Sequence, residues 1–491
     1  MTRTAQSLPH IIEVGTMLSG RVRICDGDRL SVTNPANESH VTTIVESSPE
    51  QVAQVVETAR QAFVDGIWSQ SAPETRQDVL RKTAGLIRES ASNLASLDSQ
   101  TTGLLFHRST LRHTAAAADW FDYFADLLAE QNHTVFQTAE DIVTTVSREP
   151  AGVAALFTPW NIPLMAASLK LAAALAMGNS CVIKPSEQSP LGTWELAKLL
   201  HKAGLPEGVL HVVNGRGEIT GSALAAHPDV DLISFTGGEH AGRAIATAAA
   251  QRFAKVTMEL GGKSANIICD DADYDCALQA AIGAVYGNNG QACLAGSRIL
   301  VQKKIADRFI ADFVDLAKAI RLGDPFDERA EMGPQSSKSQ MDRVLSFVEI
   351  AREDGGQILT GEQQSTDFDK GYYVDPVVAL PKSNADRICQ EEIFGPFASI
   401  LTFDDDAEAV AIANDSRFGL AGYVWSGDQK RARGIASQLR TGYVMVNSPM
   451  VREHGAPFGG FGHSGLDREG GRWSVDFYSE AKTTVVRSDH A

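Results

Sequence analysis

The 491-residue sequence predicts an α/β protein of two doubly wound domains, on three observations. From residue 153 onward, short β-branched or apolar runs alternate with longer helical stretches, the rhythm of parallel strands joined by crossover helices. The run over 153–157 is apolar at every position, as a strand buried on both faces must be. The composition, 43% hydrophobic and 21% charged, is that of a folded globular chain. At about 100–200 residues per domain the length allows two to four packed units.

Taken in order, Pro49-Glu50 opens a helix whose apolar positions Val52, Val55, Val56, Ala59 and Phe63 fall mostly at spacings of three and four. Further helices run through Leu80, Leu86 and Ile87, and through Trp120, Phe121 and Phe124. Residues 142–146 are β-branched throughout and predict a strand. Then come a strand at 153–157, a helix over 164–177, a strand at 180–183 and a helix over 190–203. A strand at 208–213, a helix over 219–226, a strand at 232–235, a helix over 241–250 and a strand at 256–259 complete the first domain. Beyond Gly261-Gly262 the alternation resumes: strand 264–268, helix 275–286, strand 298–301, helix 304–320, and later strands at 398–403 and 443–446. Thr-Thr-Val-Val within 482–487 reads as a terminal strand that pairs outside these sheets, with another subunit as one partner. Doubly wound sheets place their ligands at the carboxyl ends of the strands.

The net charge of −17 repels phosphate backbones and anionic lipid, so neither nucleic acid nor membrane is an expected partner. The first twenty residues hold no continuous apolar stretch of the secretory kind. No segment reaches the roughly 18 apolar residues of a membrane span; the longest, 164–177, is interrupted by Ser168 and Lys170. Six cysteines, at 25, 181, 269, 276, 293 and 389, form no Cys-x-x-Cys pair. Free thiols in a reducing cytoplasm are expected, with no metal site.

Several motifs suggest chemistry, each beside a plainer reading. Gly262-Lys263-Ser264 ends like a P-loop, but Thr257 stands where that loop needs glycine. Gly215, Gly217 and Gly221 are spaced one residue too long for the dinucleotide fingerprint and read as a tight turn. Phe235-Thr236-Gly237-Gly238 joins a strand to a helix whose N-terminus suits a pyrophosphate, or is an ordinary turn. Lys184-Pro185-Ser186-Glu187 can bracket a ribose, or be a surface loop. Gly290-Gln291-Ala292-Cys293 leaves a thiol among small neighbours, though a lone cysteine is more often a small buried hydrophobe. A His-paired cysteine hydrolase is the rival use of such a thiol, and no spacing ties His463 to Cys293. Glu259 closes a strand with a carboxylate. In Phe157-Thr158-Pro159-Trp160-Asn161-Ile162-Pro163, prolines stiffen a loop that offers an amide.

In their order along nearly the whole chain these motifs resemble the aldehyde dehydrogenase superfamily. The matches are FTPWNIP at 157–163, KPSEQSP at 184–190, GLPEGVLHVVNG at 204–215, FTGG at 235–238, ELGGKS at 259–264, GQAC at 290–293, EEIFGP at 391–396 and PFGGFGHSGLDREGG at 457–471. The resemblance implies Cys293 as nucleophile, Asn161 with the Cys293 amide as oxyanion donors, and Glu259 as base for the hydrolytic water. It implies cofactor contacts at Trp160, Lys184, Glu187, Gly237, Gly238, Leu260, Glu392 and Phe394. A carboxylate at 187 accepts from a 2′-hydroxyl and repels a 2′-phosphate, which predicts NAD over NADP. Three positions depart from many relatives: Thr158 for isoleucine, Gly238 for serine and Gly462 for lysine. The implied organisation is a Rossmann-like dinucleotide-binding domain (1–133 and 152–260), a catalytic domain (261–446), a glycine-rich return segment (447–476) and a small β oligomerisation arm (134–151 and 477–491). A homodimer or homotetramer follows.

The stretch 446–453 and Ala295-Gly296-Ser297-Arg298 resemble the branch that oxidises hydroxymuconic-type semialdehydes from aromatic-ring degradation. There Arg452 is suited to grip a substrate carboxylate; its plainer reading is a surface salt bridge. A general aliphatic or aromatic aldehyde dehydrogenase is the alternative. A CoA-acylating enzyme would not need Glu259, and a non-catalytic homologue would not keep it with Cys293.

Overall fold

The computed structural model describes residues 13–23, 27–129 and 134–487. Cys25, positions 1–12, 24–26 and 130–133 of the first expected domain, and 488–491 of the expected arm lie outside the described residues.

The first sheet has eight strands. Its parallel centre runs, in spatial order, Lys255–Glu259, Leu232–Thr236, Val153–Phe157, Ser180–Lys184 and Leu210–Val212. Gly465–Leu466 adds an antiparallel edge beside Lys255–Glu259, and Thr16–Leu18 with Arg21–Arg23 closes the other edge. Val153–Phe157 is buried at every position because its pleat feeds two cores. Ala154 and Leu156 join helices Pro73–Glu89, Ala115–Ala129, Pro163–Ala176 and Leu191–Lys202 on one face. Val153, Ala155 and Phe157 join helices Pro49–Val64 and Glu239–Ala250 on the other. Strand order reverses between Val153–Phe157 and Leu232–Thr236, so a crevice opens at their carboxyl ends.

The second sheet has seven strands, ordered Gln357–Thr360, Val377–Leu380, Phe397–Phe403, Arg298–Gln302, Ala265–Ile268, Ala421–Trp425 and Tyr443–Val446. All pairs are parallel except the first. Residues alternate again between two cores: Ile299 and Val301 face one, Leu300 the other. Helices Ala91–Thr102 and Lys338–Glu353 and the strand Ala421–Trp425 are additions to the elements expected from sequence.

The terminal strand Ser479–Arg487 pairs within its own chain, antiparallel to Ile142–Pro150, whose other edge carries Thr134–Ala139. The hairpin offers a free edge that the terminus completes, so a second subunit is not needed for that pairing. Val135, Phe136, Val485 and Val486 remain exposed on this three-stranded sheet. Among the described residues no helix is long and apolar enough to cross a membrane, no acidic, His or Cys group could hold a metal, and the five cysteines are free.

Candidate active site

Parallel register brings the sequence-predicted residues to one edge of the first sheet. Lys184 lies opposite Phe157, Phe157 opposite Phe235, and Thr236 opposite Glu259. The loop that follows Phe157 carries Trp160 and Asn161, and the turn after Thr236 carries Gly237 and Gly238.

Cys293 reaches this edge from the segment between helix Tyr274–Tyr286 and strand Arg298–Gln302 of the second sheet. Helix Tyr274–Tyr286 ends in a tight turn in which Asn288 and Asn289 adopt left-handed φ of 56° and 59°. Asparagine tolerates that region, which most side chains avoid. Gly290 follows at φ +74°, where a Cβ would stand 2.2 Å from the Gly395 carbonyl carbon. The turn is fastened from several sides. The Asn289 amide donates to Gly103 O at 2.9 Å and Pro334 O at 3.0 Å, and its oxygen accepts from Gly333 N–H at 2.8 Å. The Gln291 carbonyl accepts from Asn161 Nδ2 at 2.8 Å and Asn288 Nδ2 at 3.0 Å, while Gln291 Oε1 accepts from Ser336 N–H. Asn161 is thereby locked beside the Cys293 loop, with one amide hydrogen engaged and no acceptor for the second among the described residues.

Cys293 is partly exposed. Desolvation, then the charges of Glu392 and Glu259, push its thiol up to about 12, against the opposing field of Arg452. Glu259, at the end of its strand, is buried, and neither carboxyl oxygen has a hydrogen-bond partner among the described residues. Burial and the nearby Glu469 raise it well above the usual carboxylate range; Lys170, Arg452 and Arg468 oppose that shift. Gly459 makes the close approach to Glu259 feasible: a Cβ there would lie 2.8 Å from Oε1, at φ +148°. Behind Glu259, Lys170 Nζ donates to Glu469 Oε1 at 2.6 Å and to Ser234 Oγ at 2.7 Å, a fully buried ion pair.

Gly261 and Gly262 lie in the link between strand Lys255–Glu259 of the first sheet and Ala265–Ile268 of the second. A Cβ on Gly262 would meet the Cys293 carbonyl at 2.6 Å, and one on Gly261 the Glu392 carboxylate at 2.1 Å. Gly262 N–H donates to Glu392 Oε1 at 2.9 Å, and burial raises that carboxyl to about 7. Phe394, at φ 63°, presents its ring edge-on to Trp160 at 5.2 Å. Helix Lys338–Glu353 holds this loop: Gln340 Nε2 donates to Phe394 O at 2.7 Å and Arg343 to Glu392 O at 2.6 Å. These supports were missed in the sequence. The signal was Ser337 as a capping residue ahead of Met341, Val344, Phe347 and Val348 at helical spacing.

Lys184 and Glu187 sit one strand further along, with Nζ to Oε2 at 3.5 Å. Gly238 caps helix Glu239–Ala250 without a side chain, and a Cβ there would meet nothing within 4 Å. The Thr158 hydroxyl is buried and has no partner among the described residues. An open helix N-terminus, an orphaned hydroxyl and a carboxylate along one sheet edge fit a dinucleotide's pyrophosphate and ribose. Leu260 is tied to the glycine-rich segment by its N–H to Ser464 O at 3.0 Å.

Arg452 is not a surface salt bridge. Its guanidinium carbon lies 5.0 Å from the Trp120 ring centroid and 4.2 Å from that of Phe458. It makes no ion pair among the described residues, and its buried Nε and Nη2 lack hydrogen-bond partners. Its charge reaches Glu259 and Cys293. His463, by contrast, faces Glu239 at 3.0 Å, an arrangement unlike a Cys–His hydrolase pair.

A family model described as "Aldehyde dehydrogenase family" matches residues 24–484. The betaine aldehyde dehydrogenase of Bacillus subtilis (strain 168) is 39% identical over 459 residues, covering 92% of this chain and 93% of that protein. The crystal structure of PnpE from Pseudomonas sp. WBC-3 superposes with a TM-score of 0.95 at 39% identity, covering 98% and 99% of the two chains. The structure of Staphylococcus aureus betaine aldehyde dehydrogenase in complex with NAD+ gives 0.95 at 35% identity, covering 98% and 96%.

Proposed function

The chain belongs to the aldehyde dehydrogenase family, and from that premise we propose a covalent route by which this NAD-dependent oxidoreductase turns an aldehyde into a carboxylic acid. The convergence of Cys293, Asn161 and a Glu259 carboxyl left without a protein partner carries the reading. Cys293 Sγ gives its proton to solvent water and adds to the aldehyde carbon. The new oxyanion takes the spare Asn161 amide hydrogen and the Cys293 N–H. A bound nicotinamide ring supplies the hydride acceptor. The thioester left on Cys293 is hydrolysed by water that Glu259 deprotonates, for which a raised pKa is the suitable setting. Trp160, Leu260, Glu392 and Phe394 frame the ring end of the cofactor, Gly237 and Gly238 the pyrophosphate, and Lys184 with Glu187 the adenosine ribose. Reduced-cofactor formation over an aldehyde panel, with and without CoA, tests this. CoA-dependent turnover would replace hydrolysis with acyl transfer.

The substrate class follows from Arg452. A desolvated guanidinium with free donors, held between two aromatic rings, is suited to a carboxylate and repels a cation. Carboxylated semialdehydes of the hydroxymuconic type are therefore the proposed substrates, and the trimethylammonium group of betaine aldehyde is disfavoured. Arg452→Ala should raise KM for a carboxylated semialdehyde about 10- to 100-fold and leave neutral aldehydes within about threefold. Equal effects on both would remove this assignment.

The exposed apolar residues of the three-stranded arm sheet support a homodimer or homotetramer. Size-exclusion chromatography should show an oligomer that Phe136→Asp with Val485→Asp weakens; a wild-type monomer would contradict this.

A further inference from the structure

Beside the proposed adenosine pocket lies a charged cluster that the reaction does not use. Arg216 stands just beyond strand Leu210–Val212, the neighbour of Ser180–Lys184. Its Nε donates to both Glu46 oxygens at 3.1 and 3.2 Å, and its Nη2 reaches Glu46 Oε2 and Asp28 Oδ2 at 2.5 Å each. Its backbone N–H adds a bond of 2.6 Å to Glu46 Oε1. Glu46 is buried, and Arg216 holds its carboxyl below the usual range, with Lys184 contributing at longer range. Gly221, on the same turn as Arg216, has a Cβ direction 3.5 Å from Lys184 Cδ and Cε. Arg216 therefore shares a corner with Lys184 and Glu187.

A 2′-phosphate is a dianion that a guanidinium binds by two parallel donors. Nε and Nη2 of Arg216 are already given to two carboxylates, which leaves Nη1 with no second donor parallel to it. We propose that Glu46 and Asp28 withhold Arg216 from a 2′-phosphate, which makes the clamp a second determinant of NAD over NADP beside Glu187. The inference rests on the adenosine ribose lying at Lys184 and Glu187. Asp28 is exposed, so its removal loosens the clamp without disturbing the core, whereas Glu46 is built into it.

The test is calorimetric titration of the full-length protein with NAD, NADP and adenosine 2′-monophosphate, as wild type, Asp28→Ala, Arg216→Ala and the double variant. Asp28→Ala should bind NADP and adenosine 2′-monophosphate about three- to tenfold more tightly and NAD within about twofold of wild type. The double variant should lose that gain. A gain that survives in the double variant would assign the effect to lost repulsion alone and overturn the proposal, as would unchanged NADP binding in Asp28→Ala. Wild-type protein that binds NADP as tightly as NAD would instead overturn the cofactor reading, and the clamp with it.

Discussion

Cys293→Ala is expected to lower aldehyde oxidation by at least about 10⁴-fold, because in the proposed route Cys293 holds the acyl fragment between the two half-reactions. The loss should fall on kcat and kcat/KM together while NAD binding, read by titration, stays near wild type. The thiol occupies a partly exposed loop end, so truncation removes little packing and thermal stability should change by less than about 1 kcal/mol. The same residue makes a second demand. With its thiol pushed up to about 12, alkylation of the cofactor-free enzyme by iodoacetamide should keep accelerating with pH up to about 10, with no plateau near neutrality. Arg452→Ala should slow that alkylation, because the guanidinium is the charge that favours the thiolate.

Glu259→Gln separates the half-reactions. In the proposed route, hydride transfer precedes the step that needs activated water. A rapid burst approaching one reduced cofactor per site should therefore survive, followed by a steady state slowed about 10²- to 10⁴-fold. In wild type the steady-state rate should rise with pH as Glu259 loses its proton, with an inflexion well above the ordinary carboxylate range. The variant should lack that limb. Stability moves the other way. A carboxyl whose pKa is raised on folding binds more protons folded than unfolded, so its contribution is present at low pH and is lost as pH rises through the folded value. Glu259→Gln should accordingly melt no lower than wild type once the pH exceeds that folded value, where the wild type carries a buried charge without a hydrogen-bond partner among the described residues.

Much of this site can be seen in local sequence because it sits at element ends. A strand followed by glycines, a proline-stiffened Trp-Asn loop and a cysteine among small residues are short-range patterns, and the parallel sheet aligns them without further information. What escapes is whatever depends on distant pairing. Lys170 interrupts an apolar helix and looks like a misplaced surface charge. Its partner Glu469 lies 299 residues away, beyond any periodicity. Arg452 could equally have faced solvent, and only the return of the glycine-rich segment past Trp120 and Phe458 decides otherwise. Helix Ala91–Thr102 is rich in Ser, Thr and Asn, which favour caps and turns in isolation; burial of Leu94, Ala95 and Leu97 overrides that preference. The asparagine pair ahead of Gly290 carries a left-handed signal, but nothing local says that the turn will be bolted to Gly103 and Pro334.

Covalent catalysis at Cys293 is tested most directly by rapid quenching of Glu259→Gln with aldehyde and NAD, followed by peptide mass spectrometry. The expected result is an acyl adduct of the substrate's mass less two hydrogens, confined to the peptide holding Cys293 and formed in step with the burst. A burst of reduced cofactor with no adduct on Cys293, or an adduct on another residue, would contradict it.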